Sequence, residues 1–556
     1  MYSTCPQCYS QFAITQDDLD FYEKVSPVIA GKKYLIPEPT LCPPCRQQRR
    51  MARRNERKLY NRKCNFSGKQ IISIYSSDSP YKVYESKIWW SDEIDAKQYG
   101  QSFDFSRPFF EQFYELQQQV PRPSLFNKTV ENSEYSNHAD QLKSCYLIMN
   151  GGLCENCMYG NWIVSAKDCV DCSYIEGCEL CYETSYSVNC YNCHFSIHCE
   201  NCSDSTFLYD CKSVQHCTMC VGLRNKEYCI LNQQYSKEEY EQKLTALQLH
   251  SFNRLQSAKE QFQELLLKAP HRSQFIVNSE NCSGENIYNC RNAEQCFYVH
   301  NSQDTKYCYN SLGITDGYDV YETGMECELQ IETHAMNRSK NVGFSSASYD
   351  NSNIWYCDLC HNSQNLFGCI GLKGEKYCIL NKQYSKEEYE ILVPQIIVHM
   401  QATGEWGEFF PIPHAPFSYN ETLANEAFPM TKEAVLAKSW LWHEDKLGST
   451  YQGEVVKVPD TSAEATDTFI EKILTCEKCQ KHYRLIKQEL NFYREHLIPI
   501  PHCCIECRHR HRTAETNRIT LFSRNCAKCK KTIETTYPPT APEVIYCEDC
   551  YLRHTY

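Results

Sequence analysis

Fifteen cysteines crowd into residues 145–229, and every one lies a multiple of three from every other. A longer step runs through them. Cys169, Cys190 and Cys211 are spaced by twenty-one residues, as are Cys157, Cys178, Cys199 and Cys220 and the pairs Cys172/Cys193 and Cys181/Cys202. Tyr174 with Phe195, Tyr186 with Phe207 and Asn189 with Asp210 keep the same step. A fixed period of this length marks a repeat architecture. Cys193, Phe195, Ile197 and Cys199 alternate like the inward face of a strand, and the odd steps Cys190 to Cys193 and Cys199 to Cys202 fit corners. The expected fold is a three-sided β-solenoid with about 21 residues per rung. Spacing in threes also suits a three-per-turn extended helix. The modest Gly and Pro content, 20 and 22 residues of 556, argues against that packing.

A looser stretch repeats the theme from about 275 to 382, with Cys290, Cys296, Cys357, Cys360, Cys369 and Cys378. The two stretches end alike: YCILNQQYSKEEYE at 228–241 and YCILNKQYSKEEYE at 377–390 differ at one position. Ser236 with Glu239 and Ser385 with Glu388 form capping boxes, so a helix follows each stretch and covers its edge. Cysteines stacked on neighbouring rungs, about 4.8 Å apart, would reach disulfide distance or gather sulfur around a soft metal. The simpler expectation is that Cys fills a narrow core as a compact apolar residue.

The chain ends carry a different cysteine pattern. Cys5-x2-Cys8 and Cys42-x2-Cys45 are separated by thirty-three residues, and Cys476-x2-Cys479 and Cys504-x2-Cys507 by twenty-four. Paired knuckles of this kind place four thiolates at the corners of a tetrahedron around Zn2+. Leu19-Asp20-Phe21-Tyr22 matches Leu490-Asn491-Phe492-Tyr493, and Ile36-Pro37-Glu38-Pro39 matches Ile498-Pro499-Ile500-Pro501, so the module is duplicated. A further ribbon follows at the C-terminus, Cys526-x2-Cys529 and Cys547-x2-Cys550. Its N-terminal counterpart begins at Cys64 and then fails, with Ser67, Glu85 and Ile88 at the remaining ligand positions. About three Zn2+ ions per chain are therefore expected, with Cys64 a remnant and Cys503 a spare thiol beside a ligand.

After Cys45 come Arg46, Arg49, Arg50, Arg53, Arg54, Arg57 and Lys58, at helical spacing that would line one face with cations. Residues 41–63 carry nine Lys/Arg against one acid, in a chain of net charge −12, so the middle is acidic between basic ends. Guanidinium forks suit phosphate, but docking on the acidic middle of the same chain, or on a protein, is the favoured expectation. These residues are the candidate nucleic-acid contacts. No apolar run reaches the ~18 residues of a membrane span, and MYSTCPQCYSQF lacks the basic and apolar regions of a secretory signal. A cytoplasmic protein with no membrane association is the expectation.

The fold expected is mainly β with helices: two Cys-lined β-solenoid halves flanked by N- and C-terminal zinc-ribbon modules. The segments are 1–135 (zinc-ribbon module with a degenerate second ribbon), 136–235 (first solenoid), 236–271 (capping helix), 272–383 (second solenoid), 384–470 (helix and irregular connector) and 471–556 (double zinc-ribbon module). C-P-x-C-R-x-x-R-R after L-D-F-Y, F-F-P with Y-N-E-T and F-P-M-T-K-E, and the C-terminal T-T-Y-P-P with C-E-D-C-Y resemble an uncharacterised family of cysteine-rich, zinc-ribbon-ended proteins from small-genome candidate-phylum bacteria. That resemblance implies no activity and transfers no functional residue. The leading expectation is a zinc-binding scaffold that contacts RNA, a ribosome or a protein. The alternatives are a thiol-rich metal store or redox protein and, third, a solenoid enzyme. No catalytic spacing and no small-molecule substrate is legible.

Overall fold

The computed structural model describes residues 1–444, 455–514 and 519–555; part of the expected connector, 445–454, lies outside them. The chain is mixed β with helices, and its larger sheets are parallel. No helix among the described residues is long and apolar enough to cross a membrane.

The register corrects the twenty-one-residue rung. Asn137 pairs with Met149, Met149 with Asn161, Asn161 with Ser173 and Ser173 with Ser185, so the chain returns alongside itself every twelve residues. The second ladder keeps the same step from Lys340 to Ser352 to Gln364 to Lys376, narrows to eleven between Ile276 and Ile287 and widens to thirteen between Ile314 and Cys327. The underlying unit is a triplet. Every third residue points inward, and the residue before each inward one sits at positive φ: Ser144, Leu147, Asn150, Leu153, Asn156 and onward along the ladder. Twenty-one is a multiple of three but not of twelve. Cys169 and Cys190 therefore both face the core, from different sides. Phe195, expected inward, occupies a left-handed position at φ 52°, while Cys193, Ser196 and Cys199 are the buried residues around it.

A left-handed non-glycine residue costs about 1–2 kcal/mol. The ladder offsets that cost locally. Many of these positions hold Asn or Asp, the side chains that tolerate this region best. Neighbours one turn apart bond to each other: Asn156 Nδ2 donates to Asp168 (3.0 Å), Asn192 to Asp204 (2.9 Å) and Asn292 to Asp304 (2.7 Å). Trp162, Tyr174 and Tyr186 stack in the same way, with ring centroids 6.2 and 4.8 Å apart.

The core of the first ladder is built from its thiols together with Ile148, Ile163, Ile175, Leu208 and Val214. Each thiol donates to the carbonyl two residues back, and most also reach the one nine ahead; Cys172 Sγ, for example, reaches Val170 O and Cys181 O, both at 3.4 Å. The side chain thus fills the interior and satisfies its one weak donor.

Both ladders end as expected. Strand Glu227–Ile230 turns back on Gln233–Gln234 and strand Lys376–Ile379 on Lys382–Gln383, and the helices that follow open with both capping boxes formed. The first cap is two helices, Lys237–Leu247 and Phe252–Lys268, because Gln248 turns left-handed between them.

The chain divides into two compact units made of non-contiguous segments. One comprises 1–125, 274–443 and 519–521, and so joins the N-terminal module to the second ladder. The other comprises 126–273, 444–518 and 522–556, joining the first ladder to the C-terminal module.

Candidate metal centres and the arginine keys

Three groups of four cysteines bring their sulfurs within 4.8 Å of one another: Cys5, Cys8, Cys42 and Cys45; Cys476, Cys479, Cys504 and Cys507; and Cys526, Cys529, Cys547 and Cys550. These are the twelve positions expected from the CxxC spacing. No ladder cysteines form such a group among the described residues. The closest cross-knuckle contacts are 3.5 Å for Cys8–Cys42, 3.6 Å for Cys479–Cys504 and 3.7 Å for Cys529–Cys547. One thiol of each group is held low, while Cys45, Cys504, Cys507, Cys547 and Cys550 are pushed up by burial and by neighbouring thiols. Burial alone would raise Cys526, but N–H groups of Cys529 and Cys547 point at its sulfur and bring it down to about 6. Cys476 also falls to about 6, where the N–H groups of Cys504 and Cys479 outweigh burial, and Cys42 falls to about 5 through its bond with Cys45.

The segment around Cys64 keeps the local hydrogen bonds of the third group with one cysteine in place of four. Cys64 Sγ accepts N–H groups from Ser67 (3.4 Å) and Glu85 (3.3 Å), as Cys526 accepts those of Cys529 (3.5 Å) and Cys547 (3.3 Å). Arg62 ties the loop through Ser76 O and Tyr81 O, and Arg524 does so through Pro538 O and Glu543 O. Where the metal-ready copy has Ala527, this one has Asn65, whose Oδ1 accepts from Val83 N (2.8 Å) and Arg62 (3.1 Å).

The arginine row meets carboxylates of its own unit. Helix Pro43–Met51 starts between two cysteines of the first group and carries Arg46, Arg49 and Arg50, all buried. Arg46 Nε and Arg50 Nη2 grip the two oxygens of Asp319 at 2.9 and 3.0 Å. Arg49 and Arg50 share Glu332 at 2.7 and 3.0 Å, and Arg49 also reaches Glu408 at 2.6 Å. Arg53 lies 3.4 Å from Asp358, which Arg122 holds at 2.8 Å; Arg54 pairs with Glu56 and Glu322. Burial pushes Asp358 up, yet Arg122 and Arg53 outweigh it and hold the carboxyl below its usual range. Arg57 faces Glu426 at 3.9 Å, and Lys58 is exposed. Arg46, Arg49, Arg50, Arg53 and Arg54 are therefore enclosed in ion pairs rather than arrayed on an outer face.

The C-terminal unit repeats the device. Arg508 and Arg512, on helix Ile505–Ala514, converge on Asp171 at 3.3 and 2.7 Å, and Arg508 adds Glu489 at 3.0 Å. Asp171 and Asp319 are both fully buried, at left-handed positions with φ 56° and 57°. Sequence reading missed these acids, since nothing local distinguishes them from the other Asp residues of the ladders. It also missed a legible signal, Glu111-Gln112-Phe113-x-Glu115-Leu116 against Glu260-Gln261-Phe262-x-Glu264-Leu265, which shows the duplication to include the helix before each ladder.

Compared with known proteins, the chain matches no family and no curated sequence.

Proposed function

We propose that the protein is a zinc-stapled scaffold: two β-solenoids, each clasped by a zinc-ribbon module, that present a rigid surface to a macromolecular partner. The observation that carries the reading is the identical wiring of the two units. In each, a four-cysteine group sits at the start of an arginine helix, and that helix is keyed into one buried aspartate of a ladder. Zinc fits the sulfur geometry: Zn–S bonds of about 2.3 Å give tetrahedral S–S edges of about 3.8 Å, close to the 3.5–3.7 Å contacts. Four thiolates leave no open coordination position, so each ion is structural, and it fixes the arginine helix where the key needs it.

An RNA or ribosome contact then falls to cations outside the keys, such as exposed Lys58, Arg510, Lys528, Lys530 and Lys531. The thiol-store reading is less favoured, because the ladder thiols are buried and bonded to backbone carbonyls. Elemental analysis of protein purified without added metal tests the scaffold, with native and denatured thiol counts beside it. Three zinc ions and slow ladder thiols support it. Copper, iron or an excess over three ions overturns it in favour of metal storage. RNA binding that ignores salt and the Lys528/Lys530/Lys531 triple charge reversal removes the nucleic-acid partner, since phosphate contacts carry a salt dependence.

A further inference from the structure

The two arginine helices match position for position, Cys45 with Cys507, Arg46 with Arg508 and Arg50 with Arg512. They diverge two residues after the first shared arginine. In the C-terminal unit this position holds Arg510, whose Nη2 donates to the ligand sulfur Cys507 Sγ at 3.1 Å. In the N-terminal unit it holds Gln48, which is buried and already committed. Its Nε2 donates to the Tyr419 hydroxyl at 2.6 Å, and its Oε1 accepts from Gln7 at 2.7 Å. The sulfurs of the first group bond to one another and to Ser10 Oγ, and to no cation among the described residues.

Beside Gln48 the N-terminal unit has a cavity of about 630 Å³, within the size range of ligand sites. Cys8, Cys42 and Cys45 line it together with the aromatic rings of Phe12, Tyr307 and Phe428, and no carboxylate does. The four thiolates outweigh one Zn2+ by two negative charges, so a cation entering here meets its counter-charge on the metal group. The aromatic rings add faces that attract it.

We propose that this cavity receives an arginine side chain from an apolar-flanked segment of a partner protein, in the role that Arg510 plays on the second metal group. The inference rests on the zinc-scaffold reading above and names the scaffold's partner. The chain itself displays the occupant's chemistry, a guanidinium donating to a ligand sulfur. The space exceeds one side chain, so residues beside the arginine enter with it. The side-chain amides of Gln11 and Gln295 line the cavity without a hydrogen-bond partner among the described residues, and they suit the backbone of such a segment. One cation, Lys438, stands in the wall; it is exposed, with Nζ 5.5 Å from the Trp440 ring centroid. Lys438 opposes an arginine and would favour an anion, so its removal separates the two classes of ligand.

The test uses the full zinc-loaded chain and fluorescein-labelled Leu-Arg-Leu-amide, read by fluorescence polarisation, beside the same peptide with citrulline or glutamate in place of arginine. The arginine peptide should bind, and neutral citrulline should weaken it by about tenfold through loss of the charge-assisted bond. Lys438→Gln should tighten the arginine peptide. Gln48→Arg, which copies Arg510, should abolish binding while the chain keeps three ions, and Gln11→Arg, at an exposed wall position, should weaken binding where Gln48→Arg disturbs the fold. Equal binding of the arginine and citrulline peptides, preference for glutamate, or weakening by Lys438→Gln overturns the proposal. Arginine binding that ignores both wall variants lies elsewhere on this acidic chain and overturns it too. Metal analysis before titration separates this from failure of the zinc reading: a preparation without zinc overturns that reading first.

Discussion

The N-terminal unit and the C-terminal unit solve one problem twice, and they differ most where one copy has four cysteines and the other a single one. In the C-terminal unit the last ribbon gathers Cys526, Cys529, Cys547 and Cys550. In the N-terminal unit the corresponding ribbon keeps only Cys64, yet the N–H groups around that sulfur and the arginine tie of the loop are the same. The replacements are Asn65, which supplies an acceptor inside the loop, and Trp89, fully buried where the other copy has Tyr551, with its Nε1 bonded to Pro121 O at 2.9 Å. A small ribbon needs an ion when it has little core of its own. Given a large apolar side chain and an internal hydrogen-bond hub, the same backbone stands without one. The arginine keys show the opposite behaviour: both copies retain the two-arginine grip on one buried aspartate.

The largest effects should come from the metal groups. Cys45→Ser and Cys507→Ser each lower the count from three ions to two and unfold the affected module, since a structural zinc contributes on the order of 10 kcal/mol to its fold. Cys64→Ala leaves the count at three. Metal analysis and limited proteolysis read both outcomes, and loss of an ion on Cys64→Ala would erase the contrast between the two ribbons. Next come the keys. Asp171→Ala and Asp319→Ala each remove a buried carboxylate that two buried guanidiniums share, leaving Arg508 only Glu489 and Arg50 only Glu332, and each should destabilise its own unit by about 3–5 kcal/mol. Hydrogen exchange resolved along the chain checks this; a response in one unit alone would break the equivalence of the two keys.

A smaller effect comes with acid. Burial pushes His198 in one unit down to about 3 and His334 in the other well below its ordinary value. Both are neutral when folded, and the unfolded chain takes up protons below about pH 6.5. Stability is therefore present above that value and falls as the pH drops toward the folded values. At pH 5 the loss should be about 1–2 kcal/mol for each imidazole, measured by denaturant unfolding across the range. Asp358, held low by Arg122 and Arg53, gives way only below the ordinary carboxylate range. His198→Phe and His334→Phe should flatten the upper part of the curve. The smallest effect concerns ladder cysteines. Cys172 lies one turn from Thr184, whose hydroxyl makes the same bond nine residues ahead, to Cys193 O at 2.9 Å. Cys172→Ser should change stability by less than about 1 kcal/mol, whereas the identical substitution at Cys45 removes an ion.

The metal groups were legible because a tetrahedral site imprints itself on sequence as two short spacings, and the failed copy was legible because Ser67, Glu85 and Ile88 interrupt them. The ladders were legible as a cysteine-lined repeat but not in their step. A triplet pattern is compatible with every multiple of three, and chance identities at twenty-one masked the twelve that backbone pairing selects. Spacing in threes was in view, but as the mark of a three-per-turn extended helix, and it fell with that helix for want of glycine and proline. Asn-to-Asp bonds between turns, which answer that objection, exist only once the turns are stacked. The destination of the arginine row was illegible for a related reason: Arg46 finds Asp319 across 273 residues of chain, and charge alone carries no address.

The non-contiguous makeup of the units has a consequence for how the protein is born. The first module to leave the ribosome belongs with the second ladder, and the first ladder belongs with the last module. At ordinary synthesis rates of about 5–20 residues per second, the arginine helix waits on the order of tens of seconds for its aspartate. The first ladder waits in turn for residues 444–518 and 522–556 to be made. During that interval the nascent chain displays the guanidiniums that the finished protein conceals. A transcript truncated before the second ladder therefore yields no complete unit, but an N-terminal module and a first ladder that each lack their counterpart.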